Sequence, residues 1–184
     1  MAKNTKQELS AALLTQLRTT PVDKITIKSI VTACDLTRQT FYNHFSDIYE
    51  LVEWTAKQAT AESLQNVADY DNWQQGFCNV MTTIKENRYL VQNTYESAYR
   101  DLLEKYIYTV LYQYIIAVVE RQAMGMRVAQ KHKDFIAHFY SLAFIALIFE
   151  WVKDGMQEDP ADIVEQTGVL VQGDFQKALQ NYAE

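Results

Sequence analysis

Between Thr5 and Arg18 the apolar residues Leu9, Ala12, Leu13 and Leu17 fall at helical spacing, the stripe that one face of an α-helix buries. Pro21 ends that helix. Thr26 is placed to cap a second, in which Ile27, Ile30 and Val31 point inward as far as Cys34. Asp35 then makes a turn, and Thr37 caps a third helix whose Thr40, Phe41 and Phe45 alternate with outward-reaching Arg38, Gln39, Tyr42 and His44. A fourth opens at Ser46 or Asp47, carries Leu51, Val52, Trp54 and Ala59, and reaches Val67 before the polar break Asp69-Tyr70-Asp71-Asn72.

The same period continues beyond the break. It predicts helices over residues 71–86, 88–97 and 99–123, then a polar connection from Gly125 to Lys133. An eighth helix over 133–154 stops at Gly155, a residue suited to a helix C-terminus. Asp159-Pro160 starts a ninth, with Pro at the first helical position, where its missing N–H costs nothing. The expectation is an all-α, nine-helix chain. Residues 1–46 close a three-helix pattern, so the expected domains are 1–46 and 47–184.

Composition narrows this further. A 184-residue chain with 48% hydrophobic residues can bury a sizeable core, and five Gly with two Pro are too few turn formers for an antiparallel sandwich. The formal charge of −6 argues against a polyanionic partner until its distribution is read. Residues 1–50 carry a net +1 and the remainder −7, a mildly cationic head on an acidic body. Cys34 and Cys78 lie in helical patterns and read as small buried hydrophobes, which fits a reducing cytoplasm. Met1 to Leu9 is polar and unlike a signal peptide, so secretion is not expected. The most apolar run, Phe135 to Val152, is interrupted by His138, Ser141 and Glu150 and falls short of the roughly 20 residues that span a bilayer. It reads as a buried helix.

The second and third helices carry the chemistry. A helix–turn–helix places its second helix in the major groove, with polar or cationic side chains at its start to reach base edges and hydrogen-bonding groups at its flanks for phosphates. Arg38 suits guanine, Gln39 suits adenine, and Thr40 offers a methyl or hydroxyl to a base. Tyr42, Asn43 and His44 are placed for phosphates, as are Thr26 and Lys28 at the start of the second helix, where the helix dipole also favours an anion. Thr37 completes the DNA-binding set. Taken singly, each of these residues is equally well explained as solvation of a bundle surface.

This segment closely resembles the N-terminal domain of the tetracycline-repressor (TetR) family of transcription regulators. The family pattern runs T-x-x-x-I-A-x-x-A-G-V-S-x-G-T-x-Y-x-H-F, and Thr26, Ile30, Thr40, Tyr42, His44 and Phe45 match it outright. Leu36 and Thr37 are conservative replacements. Cys34 stands where Ala is usual, Asp35 where Gly is usual, and Gln39 where Gly or Pro is common. Ile48 replaces a Lys that often contacts phosphate, which implies a weaker grip there. The strings Arg38-Gln39-Thr40-Phe41-Tyr42 and Phe149-Glu150-Trp151-Val152-Lys153-Asp154-Gly155-Met156 are similar to the subgroup that includes activators of dihydroxyacetone-kinase operons. The resemblance implies the nine-helix TetR-like architecture and a homodimer; the narrower one implies control by a protein partner.

The rest of the chain shows how such a reader is paired and controlled. Helix 8 is apolar nearly all round, so either its neighbours wrap it or a second copy covers one face. The expected dimer interface is Phe144, Ile148, Trp151, Val164, Leu170 and Phe175 on helices 8 and 9, giving a C2 dimer that matches a pseudo-palindromic operator. Trp73, Phe77, Tyr95, Tyr99, Tyr106 and Tyr112 could wall an effector pocket, although core packing is the default for each. No cofactor or metal is expected: His44, His132 and His138 lack ligand spacing, and no nucleophile comes with a recognisable base. Asp134 and His138, one turn apart, read as a salt bridge. The expected function is a cytoplasmic, homodimeric, sequence-specific DNA-binding regulator of double-stranded DNA, under a small-molecule or protein effector, with no membrane role. The alternative is a protein-interaction regulator that keeps the helix–turn–helix scaffold.

Overall fold

Leu9, Leu13 and Leu17 lie fully buried along α1 (Thr5–Leu17), as their spacing requires, and around them the N-terminal helices assemble. The computed structural model describes residues 4–64 and 73–183. The expected end of helix 4 at Val67 and the polar break over 69–72 lie outside the described residues. Among the described residues the structure is all-α: α1, a short 3-10 turn at Val22–Lys24, α2 (Ile27–Ala33), α3 (Arg38–Tyr42), α4 (Ile48–Leu64), α5 (Trp73–Glu86), α6 (Arg88–Tyr95), α7 (Arg100–Gln122), α8 (Gln130–Lys153), α9 (Pro160–Leu170) and α10 (Asp174–Tyr182).

The chain forms two compact units, one of residues 1–59 with 87–106 and the other of 60–86 with 107–184. The boundary expected at residue 46 lies inside the first unit. Leu51 and Val52 of α4 and Leu102 of α7 join the core of α1 to α3, together with Ile30, Phe41 and Phe45. A helix as short as α3 has too few intrahelical bonds to stand alone, so α4 and α7 supply apolar surface that three helices lack. Two polar contacts fix that packing: the Thr55 hydroxyl donates to Ser10 Oγ at 2.9 Å, and Asn93 Nδ2 donates to the Leu17 carbonyl at the end of α1.

In the second unit α5 packs on α9 and α8 on α10. Phe144 of α8 stacks on Phe77 at 4.6 Å and meets Trp73 at 4.9 Å, while Phe175 of α10 closes the cluster against Tyr140 at 4.5 Å. Gly76 allows α5 to approach α7, because a Cβ there would lie 2.9 Å from Tyr114 Cγ. Helices α7 and α8, of 23 and 24 residues, are long and apolar enough to cross a membrane, but 44% and 50% of their most apolar windows are already buried within the protein. Both serve as core helices.

The segment read as a single ninth helix is broken. α9 ends at Leu170, and Gly173, with φ of +77°, starts α10 in the left-handed region that favours glycine. Its apolar positions continue at helical spacing across the break, so periodicity concealed it. The other sequence punctuation acts as anticipated: Pro160 follows an Asp159 whose carboxylate accepts from the Ala161 N–H at 2.9 Å, and Gly155 follows α8 with φ of +77°. Neither cysteine forms a disulfide; both are half-buried, and the Cys34 thiol donates to the Glu8 carbonyl.

Candidate nucleic-acid interface

Helices α2 and α3 are shaped by their ends. The Ser29 N–H donates to Thr26 Oγ1 at 3.1 Å and the Thr26 N–H donates to Ser29 Oγ at 3.2 Å, a reciprocal box that satisfies two otherwise unpaired donors. The Ser29 hydroxyl reaches Gln16 Oε1 at 2.7 Å, tying α2 to α1. Asp35 turns the chain with φ of +55°, and the Leu36 N–H returns to the Val31 carbonyl at 2.8 Å. An aspartate tolerates that region better than most non-glycine residues, which accounts for Asp35 at a position where the family pattern has Gly.

Thr37 then caps α3: the Thr40 N–H donates to Thr37 Oγ1 at 3.1 Å. Phe41 and Phe45, 0% and 2% exposed, anchor the helix to the core, with Lys6 Nζ over the Phe45 ring. The opposite face carries Arg38, Gln39, Tyr42 and Asn43, all exposed, with Tyr42 at 54%. Thr40 and His44 are half-buried at its edge; Thr26, Lys28 and Thr37 are exposed. Eight of the nine predicted DNA-binding residues thus lie on α2, α3 and their caps, and His44 follows the C-cap of α3. Gln39 Nε2 donates to Asn43 Oδ1 at 3.1 Å, a pairing that spacing alone did not reveal.

A second set of local bonds lies at the start of α4, where Ser46 or Asp47 is expected to open it and Glu50 closes the turn. The Glu50 N–H donates to Asp47 Oδ1 at 2.8 Å, while Glu50 Oε2 accepts from the Ser46 N–H and hydroxyl at 2.7 and 2.8 Å. Those bonds from Ser46 hold the Glu50 carboxyl below the usual carboxylate range. The spacing Asp47-x-x-Glu50 is that of a helix N-terminal box and marks where α4 begins.

The six aromatic residues expected around an effector divide between the two units. Tyr95, Tyr99 and Tyr106 belong to the first unit, and Trp73, Phe77 and Tyr112 to the second. Tyr99 stacks on Tyr49 at 5.5 Å, Arg100 lies over Tyr95, and the Tyr106 hydroxyl donates to the Glu53 carbonyl at 3.0 Å. Burial, with the Glu53 carboxylate nearby, pushes the Tyr106 phenol up to about 12. Trp73 and Phe77 fill the aromatic core, and the Tyr112 hydroxyl donates to Asp134 Oδ1. A groove of about 560 Å³ lies elsewhere, between α5 and α9, lined by Gln74, Cys78, Val164, Glu165 and Val169 among others. Asp134 and His138, read as an ion pair, each hold a tyrosine of α7: Asp134 takes Tyr112, and His138 Nδ1 pairs with the Tyr108 hydroxyl at 2.8 Å.

The expected dimer residues divide unequally. Phe144, Ile148, Trp151, Val164 and Phe175 are buried within their own unit, at 0% to 7% exposure, and only Leu170, at 80%, is exposed. The exposed apolar side chains of α8 are instead Phe135, Phe139, Leu142 and Leu147, with Ala143 and Ala146 between them and His138 and Glu150 beside them; Val169 joins Leu170 on α9. A helix apolar on every side has two candidate inner faces, and only packing chooses between them.

A capped helix–turn–helix in the first unit and long helices in the second give the described residues the helical layout of a transcription regulator. The sequence pattern of the family TetR_C_8, described as a transcriptional regulator C-terminal region, matches residues 71–173, more than half of the chain. The chain belongs to the TetR family of transcription regulators, whose matches here are regulators and not enzymes. The HTH-type dhaKLM operon transcriptional activator DhaS of Lactococcus lactis is 25% identical over 91 residues, which is 50% of this chain and 49% of DhaS, so the chain matches about half the length of that curated relative. A solved structure of dihydroxyacetone kinase operon activator DhaS superposes with a TM-score of 0.72 at 19% identity, covering 98% of this chain and 99% of its own. The fatty acid degradation regulator FadR from Bacillus halodurans gives 0.64 at 10% identity over 97% and 96%. The TetR family repressor AlkX from Dietzia sp. gives 0.59 at 15% over 97% and 99%. At these identities the superpositions establish the fold, and that fold serves both an activator and a repressor.

Proposed function

We propose that this chain is a cytoplasmic, homodimeric, sequence-specific DNA-binding regulator that reads a pseudo-palindromic operator. The observation that carries the proposal is the outer face of α3, where Arg38, Gln39 and Tyr42 stand exposed on a helix capped by Thr37 and anchored by Phe41 and Phe45. Arg38 and Gln39 are assigned to base edges, with Thr40 beside them; Lys28, Tyr42 and His44 are assigned to phosphates. Thr26 joins the phosphate set, because its oxygen accepts the capping bond and its O–H is left to donate outward. Dimerisation is assigned to the exposed apolar face of α8 with Val169 and Leu170, a C2 contact that sets the half-site spacing.

Binding to the promoter of a neighbouring operon is expected to fall steeply with salt and to exceed binding to random duplex by about 10³-fold or more. Arg38→Ala is expected to relax base preference at one position per half-site, and Tyr42→Phe to weaken binding to all sequences. Salt-independent binding, or affinity no greater than for random duplex, would show instead an interaction module on the same scaffold. For control, an effector acting on the second unit is proposed. A protein effector is favoured over a small ligand by the packing of Trp73 and Phe77 directly on Phe144, which occupies two of the six expected pocket walls. The partial match to the activator DhaS supports a role in activating an operon. Titration of the DNA complex with the purified product of an adjacent gene tests this control.

A further inference from the structure

Gln39 and Asn43 lie one turn apart on the outer face of α3, both exposed, and the Gln39 amide donates to Asn43 Oδ1 at 3.1 Å. Their backbone positions are set independently of that bond. The Asn43 N–H closes the turn on the Gln39 carbonyl at 3.0 Å, and buried Phe41 and Phe45 hold the helix to the core. The side-chain bond therefore orients the glutamine rather than the helix.

A primary amide has one carbonyl oxygen and two N–H groups. With one N–H given to Asn43, Gln39 keeps an oxygen and a second N–H as an acceptor–donor fork. The major-groove edge of adenine is complementary, with a donor at N6 and an acceptor at N7, whereas guanine presents acceptors at both O6 and N7. Turning the Gln39 amide over alone would set its oxygen against Asn43 Oδ1, acceptor against acceptor, so the two amides change polarity only together. An unheld glutamine would also lose rotamer freedom on binding, which this one has already given up.

We propose that Asn43 is a positioning residue that holds and orients the Gln39 amide, so that the pair reads one adenine in each half-site, and that Asn43 is not a phosphate contact as its place in the helix first implied. The inference rests on the DNA-reading function proposed above and names part of what that function recognises.

Selection from a randomised duplex library, using the full-length chain and its Gln39→Ala, Asn43→Ala and double variants, tests it. The unaltered chain selects a half-site with adenine at a defined position. Gln39→Ala lowers that preference about tenfold or more, and Asn43→Ala lowers it about three- to tenfold at the same position while discrimination elsewhere stands. In the Gln39→Ala background, Asn43→Ala has no further effect on that position, as expected for a residue acting through another. Circular dichroism confirms that each variant keeps its helices. Uniform weakening of all sequences by Asn43→Ala, with the salt slope reduced by about one, makes Asn43 a phosphate contact and overturns the inference. Adenine preference that persists in Asn43→Ala overturns it alone, and an unaltered chain that selects no half-site removes the DNA-reading function with it.

Discussion

Helices α3 and α8 answer the same packing problem from opposite ends. α3 has five residues and one apolar edge, with Phe41 inward, Phe45 buried just beyond its end, and the polar Arg38, Gln39, Thr40 and Tyr42 at its other positions. Its orientation has a single solution, because any rotation would bury Arg38 or Gln39 without a partner. α8 has 24 residues and apolar side chains on nearly every side, so several rotations bury comparable hydrophobic area. The neighbours decide there: Trp73, itself against Phe175, and Phe77 take Phe144 and leave Phe139 outside. Polar residues make a helix legible by excluding alternatives, and an all-apolar helix has nothing to exclude.

The sharpest break of that comparison is on α8. Phe144→Ala is expected to cost about 3–5 kcal/mol in urea unfolding, as for a buried aromatic ring, whereas Phe139→Ala, at 57% exposure, is expected to change the stability of the folded protomer by no more than about 0.5 kcal/mol. Reversed magnitudes would mean that the inner and outer faces are misassigned. Phe139→Glu then tests what the outer face does. It is expected to weaken dimerisation at least about tenfold in sedimentation velocity, because a carboxylate would be desolvated at the contact.

Effects on the head are smaller and more local. Thr37→Ala removes the cap of α3 and is expected to cost about 1 kcal/mol of stability, with a larger proportional loss of operator binding, since α3 has no length to spare. Unfolding and binding measured on one preparation separate the two. The smallest effect is on pH dependence. Tyr106 is raised from 10.0 to about 12 in the folded protein, so the folded state favours its neutral form. Its contribution is complete below pH 10 and is lost as pH rises toward 12. Tyr106→Phe is expected to make the alkaline limb of the stability profile shallower between those values; an unchanged limb would remove Tyr106 as a contributor.

Legibility followed the same division at the level of residues. Thr26, Asp35 and Thr37 act as the caps and turn that their chemistry required, and the nine residues assigned to DNA stand on or beside the two short helices. Ser46 or Asp47 was legible as the start of α4, whereas the part of Glu50 in closing that turn was not. The break at Gly173 was masked by apolar residues that kept helical spacing on both sides. The aromatic residues of the middle helices were ambiguous in principle, because an aromatic residue suits a pocket wall and a core equally.

The amino-acid sequence alone determined the helical class, the ends of α2 and α3 and the identity of their outer face, because capping, turn formation and the cost of burying charge act over a few residues. Tertiary structure alone decided that α4 and α7 complete the core of the head, that Trp73 and Phe77 are filling rather than pocket, and that Phe139 rather than Phe144 faces outward. Those outcomes depend on which distant surfaces meet, and burial of apolar area is non-directional, so periodicity cannot choose among faces of equal hydrophobicity.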